Sequence, residues 1–515
     1  MGRSCHLSLL VLTWLLLVGY RTATSTAEPY QPNWKSLDSR PNPLWYDEVK
    51  FGIFMHWGLY SVPSFNSEWF WWRWQSSSPS PDVVAFMKKN YRPGFTYADF
   101  GPMFTAEFFN PATFASIIKN SGAKYYVLTS KHHEGFTMWR SNFSWNWNSV
   151  DVGPKRDIVG EMRKAIEAVG GVHFGLYFSQ FEWFNPLFLL DKSNRYATQY
   201  YVNSTSFPQM LEIVNQYSPE IVWSDGAWDG PDTYWKSTEF LAWLFNSSPV
   251  KDTVLVNDRW GHGTDGKHGS FYDFSDRFNP GHLVPHKWEN CMTMDSHSWG
   301  YRRRMTIKDV LTIEQLLLEL ARTISCNGNL LLNVGPTHDG RIVPIFEERL
   351  NQIGQWLKIN GEAVYGSKPW IFQNDTKSGN VWYTSKVRTS DGMEPRRVFN
   401  PQVSKNTIVY AFLLKWPNDG SLELASAVPT AQTRVSMLGL HSTVQLMFKP
   451  YQGGMKIDLN QIPFEKLPSL WAWVLKLEYL ASSHFNPLDH IRQVNVEPSD
   501  GQEPETRKRD SFDFF

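Results

Sequence analysis

The sequence predicts an α/β protein, in which a parallel (β/α) barrel of the TIM type is followed by a C-terminal antiparallel β-sandwich. From about residue 45 to 365, apolar runs alternate with amphipathic helical segments, which is typical of a parallel sheet with helical connections. Beyond about residue 366, short strands are separated by turn sequences such as Pro417–Gly420. A chain of 515 residues is long enough to form both units.

Six apolar runs in the first unit predict barrel strands. Because a TIM barrel has eight strands, we expect its closure to be irregular. The predicted strands are Phe51–His56, Tyr125–Ser130, His173–Ser179, Ile221–Asp225, Thr253–Asp258 and Leu330–Val334.

Helix signals separate these strands. Asn110 followed by Pro111 predicts a helix start, and Gly122 predicts its end. Thr312 forms a capping-box pattern with the glutamine at position 315. A later helix is expected from about Pro344 to residue 360, ending at residue 361.

The C-terminal unit shows the two-residue alternation of half-buried strands. The predicted strands lead to domain boundaries at 28–365 for the barrel and 366–480 for the β-sandwich. Residues 481–515 are polar and unpatterned, which predicts a disordered tail. The predicted strands are Asn380–Ser385, Thr407–Trp416, Ser421–Ala425, Met455–Leu459 and Leu470–Leu480.

The first 27 residues predict a secretory signal peptide. Arg3 precedes a short apolar run from Leu7 to Val18, and small residues follow. We therefore expect a secreted or lysosomal protein without membrane insertion. Four glycosylation sequons fit that route; they begin at Asn142, Asn203, Asn246 and Asn374.

Composition argues against nucleic acid as a partner, because 50 basic residues balance 50 acidic residues. The 25 tryptophans favour carbohydrate, since indole offers a large apolar face for sugar C–H groups. Only Cys291 and Cys326 remain after removal of the signal peptide, so no disulfide framework is expected. Whether these two cysteines pair stays open.

Asp225 is the first candidate catalytic residue, because it ends the apolar run Ile221–Asp225 and precedes Gly226. Catalytic groups of an α/β barrel lie at the carboxyl ends of its strands. Several other strand ends carry histidines, carboxylates and tryptophans. This mixture suits a glycosidase, which needs hydroxyl-binding groups, aromatic walls and two carboxyl groups.

A metal-dependent barrel hydrolase is the main alternative from the residues alone. His132, His133 and Glu134 could contribute ligands together with His56. The two histidines are consecutive, however, so along a strand we expect their side chains to point to opposite faces. Taken singly, Glu134 and two further acids, Glu182 and Asp258, are expected to be structural.

Six motifs together resemble the alpha-L-fucosidases, the retaining exo-glycosidases of glycoside hydrolase family 29. The resemblance covers roughly residues 30–480. The motifs are Phe51–Gly58, Ser67–Trp72, Lys131–Phe136, Trp223–Gly226, Asn257–Trp260 and Pro280–Cys291.

The resemblance implies a role for each matching position. Asp225 matches the nucleophile, and Asp276 is our first choice for the acid/base, with Glu289 as the alternative because it matches the position long proposed. Trp288 and Cys291 make the segment around Glu289 look packed. Cys291 matches a cysteine associated with activity, although a buried inert thiol is expected. Positions matching the fucose pocket are His56, Glu68, Trp69, His132, His133, Tyr177, Trp223, Arg259 and Trp299.

The chain departs from the family pattern in two places. Animal members usually carry cysteines near positions 266 and 274, where this chain has Gly266 and Phe274. We therefore expect a less tightly held loop before Asp276. An insertion at residues 387–405, which includes Arg396 and Arg397, has no predicted role.

The resemblance thus implies a retaining exo-alpha-L-fucosidase that acts on fucosylated glycans by double displacement. No metal or organic cofactor is expected, and family members are commonly homo-oligomers. The alternatives are a fucose-binding lectin-like protein that has lost turnover and the metal-dependent hydrolase. Neither the preferred fucosyl linkage nor the choice between lysosome and extracellular fluid follows from the sequence.

Overall fold

A computed structural model describes residues 28–389, 392–441 and 444–489. The predicted signal peptide at 1–27 lies outside the described residues, as do residues 490–515 of the predicted tail. Within the described ranges, no helix combines the length and the apolar character needed to cross a membrane.

The first unit is built on a seven-stranded sheet in which every neighbouring pair is parallel. The strands are β1 Phe51–Met55, β2 Tyr125–Lys131, β3 His173–Ser179, β4 Ile221–Asp225, β5 Leu255–Val256, β6 Trp288–Thr293 and β7 Gly328–Val334. Their order in the sheet is β5-β4-β3-β2-β1-β7-β6, and helices pack outside the curled sheet. This confirms the TIM-like α/β fold.

Burial on both faces explains why these strands read as continuous apolar runs. The outward side chains, such as Ile53 and Leu332, join the large core beneath the helices. The inward side chains form a smaller cluster that includes Phe54, Tyr177 and Trp223. The interior of the sheet is therefore a packed aromatic core rather than a pore.

The open side of the sheet lies between β5 and β6, and an irregular segment spans it. Ser270 donates its backbone N–H to Val256 in β5, at 2.9 Å, and Tyr272 donates to Lys287 just before β6, at 3.0 Å. Glu289 in β6 donates back to the Tyr272 carbonyl at 2.9 Å. Residues 270–272 thus form a seam that links the two edge strands.

Two predictions in this region were incomplete. Strand β6 was missed, because Glu289 and Asn290 interrupt its apolar pattern even though both are fully buried. The predicted strand Thr253–Asp258 shrinks to Leu255–Val256. Asn257 leaves the ladder because its side-chain amide pairs with the Ser224 backbone in both directions, at 2.9 and 2.8 Å.

The helices follow the predicted signals, with one exception. Asn110 caps its helix by accepting from Thr113, and the capping box at Thr312 is present. The helix predicted to end at Gly361 continues to Val364. The α-helices are Trp34–Leu37, Trp45–Val49, Phe70–Gln75, Pro81–Asn90, Pro111–Asn120, Ile158–Val169, Pro186–Ser193, Phe207–Tyr217, Asp232–Trp235, Ser237–Asn246, Ile313–Ser325 and Pro344–Val364.

The C-terminal unit packs a five-stranded antiparallel sheet against a three-stranded one around a shared apolar core. This confirms the β-sandwich, although three strands, β8, β12 and β13, were not predicted. Their sequences are short or carry polar and proline residues. The strands are β8 Lys368–Asn374, β9 Val381–Val387, β10 Thr407–Leu413, β11 Ser421–Leu424, β12 Arg434–Met437, β13 Phe448–Tyr451, β14 Gly454–Asp458 and β15 Trp473–Glu478.

The long helix Pro344–Val364 touches both units. Its Trp356 indole donates to the Ala472 carbonyl at 2.9 Å, which fixes the β-sandwich to the helix. On the barrel side, a β-carbon built on Gly354 would lie 1.9 Å from the Asn120 carbonyl oxygen. Glycine is therefore required where this helix crosses Pro111–Asn120.

Replacing Gly354 by alanine should destabilise the protein, because the two helix backbones must separate to admit a methyl group. We expect a loss of about 1–3 kcal/mol or more, measured as a lower thermal midpoint. Gly379→Ala is the control. No heavy atom lies within 4 Å of its new β-carbon, so an unchanged midpoint is expected. Equal midpoints for the two variants would contradict the close approach at Gly354.

Candidate active site

The predicted site residues converge at the carboxyl ends of the barrel strands. Tyr177 lies in β3 and Asp225 ends β4, while His56 and the pair His132 and His133 directly follow β1 and β2. In parallel strands these ends lie at one edge of the sheet. The structure therefore brings residues that are far apart in sequence into one cleft.

Asp225 is held by two side chains, and a third lies close to it. Tyr177 donates its hydroxyl to Oδ2 at 2.8 Å, and Arg259 donates Nη1 to Oδ1 at 3.1 Å. His133 Nε2 lies 3.6 Å from Oδ2. The Asp225 side chain is only 11% exposed, so its carboxylate is oriented and largely shielded from water.

Arg259 contacts a carboxylate with each of its three guanidinium nitrogens. Nη1 contacts Asp225, Nη2 contacts Asp276 Oδ1 at 2.6 Å, and Nε lies 3.6 Å from Asp273 Oδ2. The guanidinium also stacks 4.7 Å from the ring centre of Trp223. Although burial lowers the pKa of Arg259, these three carboxylates hold it above its ordinary value. Arg259 is thus a fixed positive charge that joins Asp225 and Asp276.

Asp273 is a site residue that the sequence analysis missed. It is fully buried, and its Oδ1 has no hydrogen-bond partner among the described residues. Burial, followed by the nearby charge of Asp258, raises the pKa of Asp273 well above its ordinary value. An aspartate in a loop carries no sequence signal for such a role, because only the folded loop brings Asp273 to Arg259.

Asp276 is the accessible member of the group, with 41% of its side chain exposed. Burial opposes ionisation here, but the charge and hydrogen bond of Arg259 hold the pKa of Asp276 below its ordinary value. The carboxyl therefore faces the open cleft while Arg259 anchors one of its oxygens. A ligand that enters from solvent and binds at Asp225 could therefore also contact Asp276.

Asp258 organises the loop that carries Asp276. Its Oδ2 accepts the backbone N–H groups of Gly266, at 2.7 Å, and Phe274, at 3.2 Å, and its Oδ1 accepts that of Asp273 at 3.1 Å. The Phe274 ring also packs directly on Gly266. Gly266 and Phe274 stand where the resemblance led us to expect cysteines. The buried Asp258 carboxylate therefore holds together two positions that a disulfide would otherwise join.

Glu289 occupies a different environment, inside the aromatic core and 0% exposed. Its carboxylate accepts three hydrogen bonds, from Tyr46 at 2.6 Å, Tyr125 at 2.8 Å and Trp223 at 2.9 Å. Burial raises the pKa of Glu289 to about 7. That value would suit an acid catalyst, but geometry takes precedence over pKa, and both oxygens already face protein donors.

His133 has a proton position that its partners determine. The Ser179 hydroxyl donates to the Phe181 carbonyl at 2.7 Å, so it must accept from His133 Nδ1, which lies 2.7 Å away. Burial and the neighbouring His132 hold the pKa of His133 well below its ordinary value. Neutral His133 therefore directs the lone pair of Nε2 toward the cleft, where it can accept a hydroxyl proton.

His56 is arranged in the same way by Asn333, which the sequence analysis did not single out. Asn333 donates Nδ2 to Thr293 and to the Trp299 carbonyl, so its Oδ1 is free to accept from His56 Nδ1 at 2.8 Å. Burial lowers the pKa of His56 to about 3. The Nε2 of His56 is consequently another hydroxyl acceptor.

The expectation that His132 and His133 point to opposite faces was wrong. Their ring centroids lie 4.0 Å apart, because β2 ends at Lys131 and its pairing with β3 shifts register just before that point. Both rings therefore leave the strand on the cleft side. His132 is fixed by Glu134, whose carboxylate lies 3.2 Å from Nδ1.

Glu68 and the aromatic residues complete the wall. Glu68 Oε2 accepts from Ser298, at 2.9 Å, and from the backbone of Trp299, at 2.9 Å. Although burial opposes ionisation, His132 and the backbone donors hold the pKa of Glu68 below its ordinary value. The Trp299 ring lies 5.2 Å from that of His56, and the Trp69 ring 5.4 Å from that of His133. These contacts place indoles on both sides of the histidines.

The remaining candidates have structural surroundings. Cys291 and Cys326 are both free and buried; Cys291 lies 4.0 Å from Asp276 Oδ1, and burial raises its pKa. Glu182 pairs with Lys131 at 3.1 Å. Across the described part of the chain, no group of three or more His, Cys, Asp or Glu side chains is arranged to hold a metal ion.

The sequons differ in their surroundings. Asn142, Asn203 and Asn374 are exposed. Asn246 is half-buried, and its amide exchanges two hydrogen bonds with the Tyr30 backbone, at 2.9 and 2.8 Å. The three exposed sequons are therefore the more accessible to a glycosyltransferase.

Comparisons with known proteins all point to one family. The family model described as alpha-L-fucosidase matches residues 17–362, and that of the alpha-L-fucosidase C-terminal domain matches residues 373–478. The alpha-L-fucosidase of Branchiostoma floridae is 54% identical over 450 residues, covering 87% of this chain and 96% of that protein. The plasma alpha-L-fucosidase of Homo sapiens is 53% identical over 454 residues, covering 88% and 93%. A crystal structure of Thermotoga maritima alpha-fucosidase with a mechanism-based inhibitor matches with a TM-score of 0.70 and 30% identity, covering 87% of this chain and 99% of that one.

The burial of Glu289 makes protein stability depend on pH. Its folded pKa of about 7 lies above the ordinary value of 4.5, so its contribution is fully present below about pH 4.5 and is lost as the pH rises through 7. In Glu289→Gln this loss should disappear, while the tyrosine hydroxyls can accept from the new amide. The unfolding midpoints of the two proteins should therefore be similar near pH 4.5, and that of the unaltered protein should fall below that of Glu289→Gln as the pH rises to 7.5. A constant difference would contradict the raised pKa.

Proposed function

The chain belongs to the alpha-L-fucosidase family and is a glycoside hydrolase that releases alpha-L-fucose, and we propose that Asp225 and Asp276 are the two carboxyl groups that perform the reaction. The observation that carries this proposal is the shared Arg259, which binds both carboxylates at 3.1 and 2.6 Å. Because both carboxylates bind one guanidinium, they are close together. Retaining enzymes likewise hold their two carboxyl groups only about 5–5.5 Å apart.

In the first step, Asp225 attacks C1 of a terminal fucosyl group. Asp276 protonates the glycosidic oxygen, the bond to the aglycone breaks, and an ester joins Asp225 to the sugar. Tyr177 and Arg259 stabilise the attacking carboxylate in a single orientation. Holding the nucleophile in place removes an entropic part of the barrier.

In the second step, Asp276 acts as the base that activates water, and fucose leaves with retained configuration. Once Asp225 is esterified, its negative charge no longer competes for Arg259. The pKa of Asp276 should then fall further, since one like charge is gone and the cation remains. Sharing one arginine thus adjusts Asp276 from an acid toward a base between the two steps.

Glu289 is assigned a supporting role instead. Its three donors and complete burial leave no oxygen facing the cleft. Because Trp223 donates to Glu289 and also stacks on Arg259, Glu289 fixes the indole plane on which Arg259 rests. We therefore propose that Glu289, through Trp223, holds Arg259 and the carboxylates bound to it in position.

The remaining predicted residues are proposed to bind the sugar. His56 and His133 present bare Nε2 atoms that can accept hydroxyl protons, and His132 lies beside them. Glu68 supplies a further hydroxyl acceptor. Trp69 and Trp299 are proposed to pack against the C–H faces and the C6 methyl group, because indole rings offer suitable apolar surfaces.

Several wider statements remain proposals. The natural substrates are proposed to be fucosylated glycans in the extracellular fluid or the lysosome, in line with a relative named as a plasma enzyme. We also propose that the protein forms a homo-oligomer, that the four sequons are glycosylated and that the chain divides into its two domains near residue 365. No cofactor enters the proposed steps.

Replacing Asp225 by glycine should remove turnover of an aryl fucoside by roughly a thousandfold or more, because no other carboxylate reaches C1. Azide fits the vacated space and should restore activity, giving fucosyl azide as the product. Asp252→Gly, at a side chain that is 82% exposed, is the control for folding and should keep full activity. Near-normal turnover by Asp225→Gly would eliminate the nucleophile assignment, and fucose binding without any turnover by the unaltered protein would indicate a lectin instead.

The acid is identified by comparing Asp276→Asn with Glu289→Gln on good and poor leaving groups. For Asp276→Asn, kcat/KM should fall about 10²–10⁴-fold on a fucosyl disaccharide but far less on an activated nitrophenyl fucoside, which needs no protonation. Glu289→Gln should affect both substrates equally. The decrease in kcat/KM at high pH should also persist in Glu289→Gln and vanish in Asp276→Asn. A reversal of the two patterns would make Glu289 the acid.

A further inference from the structure

A second cavity lies at the opposite end of the barrel from Asp225. It has a volume of about 220 Å³ and is lined by residues that precede strands, including Asp47 before β1 and Lys287 before β6. Part of its wall is the segment Pro395–Val398, within the insertion to which the sequence analysis gave no role. Pockets for drug-sized molecules are about 300–1,000 Å³, so this cavity suits a smaller ligand.

One side of the cavity carries an excess of positive charge. Asp47 is contacted by three ammonium groups, those of Lys50 and Lys287 at 2.8 Å and that of Lys368. One carboxylate cannot neutralise three cations, and burial lowers the pKa of Lys50 to about 8. The folded protein therefore places more positive than negative charge at this point.

Arg396 and Arg397 add two further cations to the same lining. Arg396 uses its Nε on the Asn42 carbonyl, at 3.2 Å. The Nε of Arg397 is buried and has no hydrogen-bond partner among the described residues. A buried unpaired donor costs about 1–3 kcal/mol, and an anion in the cavity would provide its acceptor.

The lining of the cavity also includes the apolar side chains Leu37, Leu241 and Phe245. The Arg40 guanidinium covers one face of Phe245, 4.3 Å from the ring centre, and donates to the Val254 and Lys251 carbonyls at 2.9 Å. Asp38 is likewise engaged, by His268 at 2.8 Å. A ligand in the cavity would therefore meet both cations and hydrocarbon.

We propose that this cavity binds a small amphiphilic oxyanion, a phosphate, sulfate or carboxylate group carried on an apolar or aromatic body. The oxyanion lies against Lys287, Lys368 and Arg397, because hydrogen bonds between charged groups are stronger than those between neutral groups. The apolar body packs on Leu241 and Phe245. The site is separate from the catalytic cleft and does not depend on the roles proposed there.

Phenyl phosphate is the probe, with inorganic phosphate and phenol as its two halves. Calorimetry on the full-length protein should give saturable binding of phenyl phosphate, at least roughly tenfold tighter than either half alone. Fucose at saturating concentration should leave this binding unchanged. Competition by fucose would place the probe in the catalytic cleft and overturn the proposal, as would the absence of saturable binding.

The double variant Arg396→Ala/Arg397→Ala tests the location of the site. Loss of charge-assisted hydrogen bonds should weaken phenyl phosphate binding at least about tenfold, while turnover of an aryl fucoside stays within twofold. Arg92→Ala/Arg140→Ala, which removes two arginines that are 65% and 67% exposed elsewhere on the barrel, is the control matched in charge and should bind the probe normally. Equal weakening in both proteins would reduce the effect to general charge and contradict the site.

Discussion

The catalytic cleft depends on a single guanidinium. Arg259 is the only group that touches Asp225, Asp273 and Asp276 together within the described residues. Without a cation between them, Asp225 and Asp276 could not lie this close and both remain ionised. Its stacking on Trp223 fixes the plane of the charge, and Tyr177 supplies the remaining hydrogen bond to Asp225. The proposed nucleophile and the proposed acid/base are therefore arranged around one arginine.

Glu289 shows why a pKa near neutrality does not by itself identify an acid catalyst. The same burial that raises its pKa to about 7 also removes it from any substrate. Asp276 has the less suitable pKa in the ligand-free protein, yet it is exposed to the cleft and adjoins the nucleophile through Arg259. Access and geometry thus favour Asp276 over Glu289 as the proposed acid, although their motifs alone could not separate the two carboxyl groups.

The sequence predicts the strands and the principal site residue because their physical signals are local. Continuous apolar runs mark β3 and β4, and Asp225 stands at the end of one of them. Strand β6 escaped because Glu289 and Asn290 are buried through partners distant in sequence. Asp273, Asn333 and Ser179 also escaped. Asp273 lies in a loop and meets Arg259 only in the folded protein. Asn333 on β7 and Ser179 on β3 fix the proton positions of His56 and His133, which are distant from them in sequence.

The seam at residues 270–272 joins the barrel edges through a few backbone hydrogen bonds, and Asp273 and Asp276 follow it at once in the chain. Parts of a protein held by few bonds open at lower free energy than the core. Local opening there would release Asp276, the proposed acid/base, while β1 to β4 stay paired. Heat or denaturant should consequently silence the enzyme before its global transition, and amide hydrogens of this segment should exchange earlier than those of the neighbouring strands.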